Sequence, residues 1–123
     1  MNAAGDRYLS ERVLTASPAE LTAMLYDAAV GACRAAERLQ SAGEWVAAVP
    51  RLLKAQRVVL ELRSTLNPQA GELARNLDRL YAYCHERMVA ANHERSVAAT
   101  RDAIAVLEPL QQAWREACCT LAA

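Results

Sequence analysis

The 123-residue chain contains no phenylalanine and only four glycines and four prolines. So few turn formers exclude a turn-rich β sandwich, and the alanine, leucine and arginine that dominate instead favour helices. There is no excess of charge of either sign. Fourteen basic side chains balance fourteen acidic ones, so no overall field draws the chain to nucleic acid or to a membrane surface. No apolar run approaches the roughly 20 residues that span a bilayer. The start, M-N-A-A-G-D-R-Y, has no basic stretch followed by an apolar one, so no signal peptide is expected. Cys33, Cys84, Cys118 and Cys119 show no C-x-x-C spacing. Reduced thiols in a cytoplasm are the expectation, with Cys33 and Cys84 as small, buried, inert side chains. The length is that of one domain able to bury a core without metal or disulfide staples.

What is present begins with T-A-S-P-A-E-L at 15–21. Ser17 is the expected N-cap, Pro18 the first helical residue and Glu20 the capping-box partner. A first helix is expected over 17–41, with Leu21, Met24, Leu25, Ala28, Ala32, Ala35 and Leu39 as its apolar stripe and S-A-G at 41–43 as its stop. A second periodic run covers 44–66, with Val46, Val49, Leu52, Leu53, Val59, Leu62 and Leu66 on one face. Pro50 interrupts it, so the helix proper starts near Pro50 or its first turn is kinked. N-P at 67–68 ends the run.

A third run covers 69–92, with Leu73, Leu77, Leu80, Tyr81, Cys84, Met88 and Ala91 in register. After the short link N-H-E-R-S, a fourth covers 97–118, with Val97, Ile104, Leu107, Leu110 or Gln111, and Trp114. Pro109 predicts a bend there or a split into two shorter helices. The economical architecture is all-α: an antiparallel up-and-down four-helix bundle over 17–123, with an N-terminal arm over 1–16. The arm carries Tyr8, Leu9 and Val13, which makes it more than a solvated tail.

Enzyme chemistry finds little support. A di-iron bundle needs Glu-x-x-His pairs, but Ala82 and Ala90 stand three residues before His85 and His93. H-E-x-x-H is absent, as are a glycine-rich phosphate loop and a nucleophile elbow. R-L-Y-A-Y-C-H at 79–85 and R-M-V-A-A-N-H at 87–93 fit the loose arginine–histidine pattern of HEPN-type ribonucleases, a spacing that arises easily by chance in an arginine-rich chain. No metal and no cofactor are expected. Tyr81 and Tyr83, two apart on a helix, point about 200° apart, so one enters the core while the other faces a groove or solvent. With Tyr8, the second tyrosine suggests a partner-binding surface.

Tyr8, Val13, T-A-S-P-A-E-L and M-L-Y-D at 24–27 resemble the N-terminal signature of the FliS family of flagellin-specific export chaperones. K-A-Q-R-V-V-L-E-L-R-S-T-L-N at 54–67 is similar to the family's second helix. G-E-L-A-R-N-L-D-R-L-Y-A-Y at 71–83 with A-A-N at 90–92 is similar to its third, and A-W-R-E-A at 113–117 to its end. The chain departs from the family pattern at Ala28, usually glycine, at the reduced glycine pair Ala70-Gly71, and at H-E-R-S, where an asparagine–aspartate pair is usual.

The resemblance implies a cytosolic helical bundle that binds the disordered C-terminal segment of flagellin, prevents premature polymerisation and aids delivery to the flagellar type III export apparatus. Export-gate or flagellar regulatory proteins are implied as further partners; nucleic acid and membrane insertion are not. For the flagellin groove the expected residues are Tyr26, Leu62, Leu66, Leu73, Asn76, Leu77, Leu80, Tyr81 and Tyr83, with Tyr8, Leu9 and Val13 as a removable lid. An interaction module or regulator with a different partner is the alternative reading, and a HEPN-like ribonuclease a more distant one.

Overall fold

The structure is a computed structural model that describes residues 16–122, the side chains beyond 119 excepted. Four α-helices follow one another: α1 Pro18–Ser41, α2 Trp45–Ser64, α3 Glu72–His93 and α4 Val97–Ala122. Tyr8, Leu9 and Val13 lie outside the described residues.

Each helix boundary has a local cause. Ser17 is extended, and its hydroxyl accepts from the Glu20 amide at 3.2 Å, with Pro18 following as the first helical residue. Gly43 closes α1 at φ 77°, a left-handed conformation that glycine adopts without steric cost. A short 3-10 turn, Pro68–Ala70, starts where Asn67 Oδ1 accepts from the Gln69 amide at 3.1 Å. That turn and Gly71, at φ 140°, delay α3 to Glu72, three residues later than the sequence pattern implies. Ser96 Oγ accepts from the Ala99 amide at 3.0 Å and caps α4.

The two internal prolines break nothing. α2 already runs from Trp45 and continues through Pro50, and α4 continues through Pro109. Pro109 and Ala105, whose carbonyl loses its partner, are both exposed, as are Pro50 and Val46. The orphaned carbonyl therefore lies on a solvent-facing side of the helix, where water can reach it, which lowers the cost of keeping the helix whole.

α1 and α3 each pack against both α2 and α4, closing an antiparallel ring. Trp114 Nε1 donates to the Ala19 carbonyl at 3.0 Å at one end, and Thr100 Oγ1 donates to Gln40 Oε1 at 2.7 Å near the other. The core combines Leu52, Leu62, Met88 and Leu107 with many small residues, among them Ala29, Cys33, Ala36, Ala55, Ala91 and Ala103. On α1 the buried face is Tyr26, Ala29, Val30, Ala32, Cys33, Ala36 and Gln40. This is rotated by about 100°, one residue step, from the stripe read off the larger apolar side chains. Leu25 and Leu39 pack beside the core and not at its centre.

Candidate protein-interaction site

The start of α1, the end of α2, the start of α3 and the end of α4 meet at one end of the bundle. There they leave a cavity of about 460 Å³, walled mainly by Leu21, Leu25, Leu66, Leu77 and Trp114 over a floor of Tyr26 and Tyr81. The two tyrosine hydroxyls bond to each other, and their rings are tilted at 55° with centroids 6.3 Å apart. Trp114 leans on Tyr26 from the other side, also at 6.3 Å. Burial pushes both tyrosine hydroxyls above their usual range, and the bond each makes favours the protonated Tyr81. The polar atoms of this floor are satisfied, so what the cavity offers is apolar surface. It suits hydrophobic side chains of a partner.

The residues expected from sequence to form one groove fall into three places. Leu62 is fully buried and belongs to the core. Tyr26, Leu66, Leu77 and Tyr81 form part of the end cavity. Leu73, Asn76, Leu80 and Tyr83 stand on the edge of α3 that faces α4. Arg87, seven residues after Leu80 on the same edge, reaches Asp102 of α4 at 3.3 Å. On that edge Leu73 is 73% exposed and Tyr83 44%, while Tyr81 is only 2% exposed. The tyrosine pair therefore splits between core and surface, as its spacing demands. Asn76 is exposed, and its Oδ1 accepts from Arg79 Nη1 at 3.2 Å, so part of its hydrogen-bonding capacity is already used.

The sequence reading missed a second exposed apolar edge. Val46, Val49, Leu53 and Leu60 run along α2, with Val46 82% exposed, and Val89 faces them from α3. Asn92 Nδ2 donating to the Val49 carbonyl at 3.4 Å places this edge against α3. The signal was the seven-residue spacing of Val46, Leu53 and Leu60, a stripe on a face that is not the core. Trp114, Leu21 and Leu25 of the cavity were also missed as site residues, although all three were seen as periodic apolar positions.

Elsewhere the chemistry is structural. Arg34 bridges Glu108 at 2.5 Å and Glu37 at 3.1 Å, and Arg101 meets Glu37 at 3.1 Å, tying α1 to α4. Burial pushes the thiols of Cys33 and Cys84 up to about 12, which leaves them unreactive at neutral pH. Arg79 is held by Asn76, and Arg87 by Glu86 and Asp102. Among the described residues no group of histidine, cysteine and carboxylate side chains is placed to hold a metal ion, and no helix is long and apolar enough to cross a membrane.

Comparison with known proteins points one way. The profile of the family described as "Flagellar protein FliS" matches residues 1–120. A flagellar secretion chaperone FliS of Bacillus subtilis (strain 168) is 30% identical over 110 residues, covering 89% of this chain and 82% of that protein. One of Salmonella typhimurium is 32% identical over 106 residues, covering 85% and 78%. A solved structure, described as a crystal structure of a flagellar chaperone from bacteria, matches with a TM-score of 0.74 at 24% identity over 95% of this chain and 96% of that one. The last of these speaks to the fold.

Proposed function

The chain belongs to the FliS family of flagellar secretion chaperones, a chaperone family and not an enzyme family, and from that premise we propose that its substrate is flagellin. It binds the disordered C-terminal segment of flagellin in the cytosol, keeps it from polymerising early and aids its delivery to the export apparatus. Export-gate or flagellar regulatory proteins meet the loaded chaperone.

The observation that carries this reading is the amount of apolar surface left open, in three patches: the end cavity, the Leu73–Leu80–Tyr83 edge of α3 and the Val46–Leu53–Leu60 edge of α2. Several large side chains left in water on a small bundle mark a surface meant to be covered. Two helical edges and an end cavity suit a disordered segment that folds into short amphipathic helices as it binds.

The arm over 1–16 acts as a removable lid on the end cavity. What supports this is the point of entry: the chain reaches Ser17 beside Pro18 and Ala19, which line the cavity's rim. Deuterium exchange on the full chain, with and without a flagellin C-terminal segment from the same cell, tests both ideas. Slower exchange at 18–26 and 66–83 with altered exchange at 1–16 is expected. Unchanged exchange in the arm would remove the lid, and unchanged exchange throughout would remove the chaperone–flagellin reading.

A further inference from the structure

Charge is unevenly spread in a chain that carries none overall. Fourteen basic and fourteen acidic side chains cancel over the whole sequence, yet α2 holds Arg51, Lys54, Arg57 and Arg63 against Glu61 alone. Arg63 is taken by Asp78 of α3 at 2.6 Å. Arg51, Lys54 and Arg57 are exposed, and among the described residues neither they nor Glu61 make a side-chain hydrogen bond or ion pair. Elsewhere on the bundle the fold pairs such charges: Arg34, Arg87, Arg101 and Arg115 each meet a carboxylate.

The three free cations border the apolar stripe of the same helix. Val46, Leu53 and Leu60 recur every seven residues on the face opposite Leu52, Ala55 and Val59, which are buried. Leu53 is 43% exposed and Leu60 45%, so the stripe is open along its whole length, about 21 Å at 1.5 Å per residue. At about 100° per residue, Arg57 projects about 40° to one side of Leu53, and Lys54 and Arg51 follow in steps of about 60°. Val49 and Arg63 lie to the other side, where their bonds to Asn92 and Asp78 mark the flank of α3. The outer face of α2 is thus apolar along its centre and basic along one flank only.

Such a face discriminates among covers. A second copy docked symmetrically by the same face would set these cations against their own counterparts, and like charges so placed repel. A helix with an apolar stripe and carboxylates beside it matches both halves of the surface. We infer that the outer face of α2 takes one amphipathic helix of the bound segment, its apolar anchors over Val46, Leu53 and Leu60 and its acidic edge along Arg51, Lys54 and Arg57. The inference rests on the flagellin reading for the identity of that segment. It adds a selection rule: Arg51, Lys54 and Arg57 decide which stretch of the segment lies on α2, and on which flank its carboxylates fall.

The test is a cycle of four titrations. The full-length parent and its triple variant, Arg51→Gln with Lys54→Gln and Arg57→Gln, each meet two forms of a flagellin C-terminal segment from the same cell: the natural one, and one with every Asp and Glu replaced by Asn and Gln. The variant melts as the parent does, because the three side chains have no partners to lose. The parent binds the natural segment roughly tenfold more tightly than the amidated one, the scale of a few partly exposed ion pairs. In the variant that difference shrinks to near nothing, and in about 1 M salt it does so for the parent as well. Equal binding of the two segments by the parent overturns the inference and leaves the flagellin reading standing. A preference that persists undiminished in the variant places the carboxylates elsewhere and also overturns it. Two further results would give the face to another occupant and overturn it: sedimentation of the free chain as a dimer that Leu53→Glu breaks apart, or retention of the parent, and not of the triple variant, on phosphatidylglycerol vesicles. Binding of neither segment removes the flagellin reading, and the inference with it.

Discussion

The hydroxyls of Tyr26 and Tyr81 meet in a hydrogen bond between the first and third helices, at the floor of the end cavity. These helices do not pack as neighbours in the ring, so the bond spans the bundle and fixes the shape of the cavity floor. Among the described residues each hydroxyl bonds only to the other, which makes the pair interdependent. Tyr81→Phe strands the Tyr26 hydroxyl in the interior and costs roughly 1–3 kcal/mol. The double change Tyr26→Phe with Tyr81→Phe costs less than the sum of the single changes, because neither hydroxyl is then left unpaired. Urea unfolding of the two single variants and the double variant reads this coupling; additive losses would show that the pair does not act as a unit.

The same logic separates core from surface among the leucines. Leu62→Ala opens a cavity in the fully buried core and costs roughly 2–5 kcal/mol. Leu80→Ala and Asn76→Ala, on the exposed edge of α3, change stability by no more than about 0.5 kcal/mol. These two surface changes weaken flagellin binding, whereas Leu62→Ala weakens it only in proportion to lost fold. Thermal melts alongside binding measurements separate the two, and a Leu80→Ala protein that binds as the parent does would take the α3 edge out of the site.

Two helix-interior positions are open to improvement. Gly31 lies exposed in α1, and nothing stands within 4 Å of a Cβ placed there, so Gly31→Ala stabilises by roughly 0.5–1 kcal/mol. Pro109→Ala restores a donor to the Ala105 carbonyl and stabilises by up to roughly 3 kcal/mol. Denaturant midpoints test both, and a destabilised Gly31→Ala would mean that the α1 surface is covered by something outside the described residues.

Stability should fall on the alkaline side. The thiols of Cys33 and Cys84 are raised from 9.0 to about 12 by burial. Above about pH 9 the unfolded chain releases these protons while the folded chain keeps them, so the folded state binds more protons and loses stability as pH rises toward about 12. Near neutral pH both thiols are protonated in either state and contribute no appreciable slope. Between pH 9 and 10, ahead of the usual tyrosine range, the decline is set chiefly by the thiols, and Cys84→Ala flattens it whatever its effect on the absolute level. An unchanged slope in that variant would show that the decline has another source.

Helix number and ends were legible because they rest on local chemistry: Ser17 with Pro18, Gly43, and Asn67 with Pro68 each act on the backbone beside them. The splitting of Tyr81 from Tyr83 was legible for the same reason, being a matter of angle along one helix. The phase of α1 was not. Its core face is built from Ala29, Cys33, Ala36 and the polar Gln40, while the larger Leu21, Leu25 and Leu39 lie to one side, so size misled where close helix approach decided. Pro50 and Pro109 suggested breaks because the sequence does not reveal that the carbonyls they orphan face water. The cavity required partners far apart in the chain, such as Trp114 and Ala19, and no periodicity brings those together. The stripe of Val46, Leu53 and Leu60 was visible but was absorbed into the core.

The most direct test of the chaperone reading is calorimetric titration of the full chain with a flagellin C-terminal segment from the same cell. Binding near one to one, with a negative heat-capacity change and new helix seen by circular dichroism, is the predicted result, since apolar grooves are covered while the segment folds. A well-folded chain that gives no heat with the matched segment, at several temperatures, would contradict it and would mean that this bundle has kept the family's surface for a different partner.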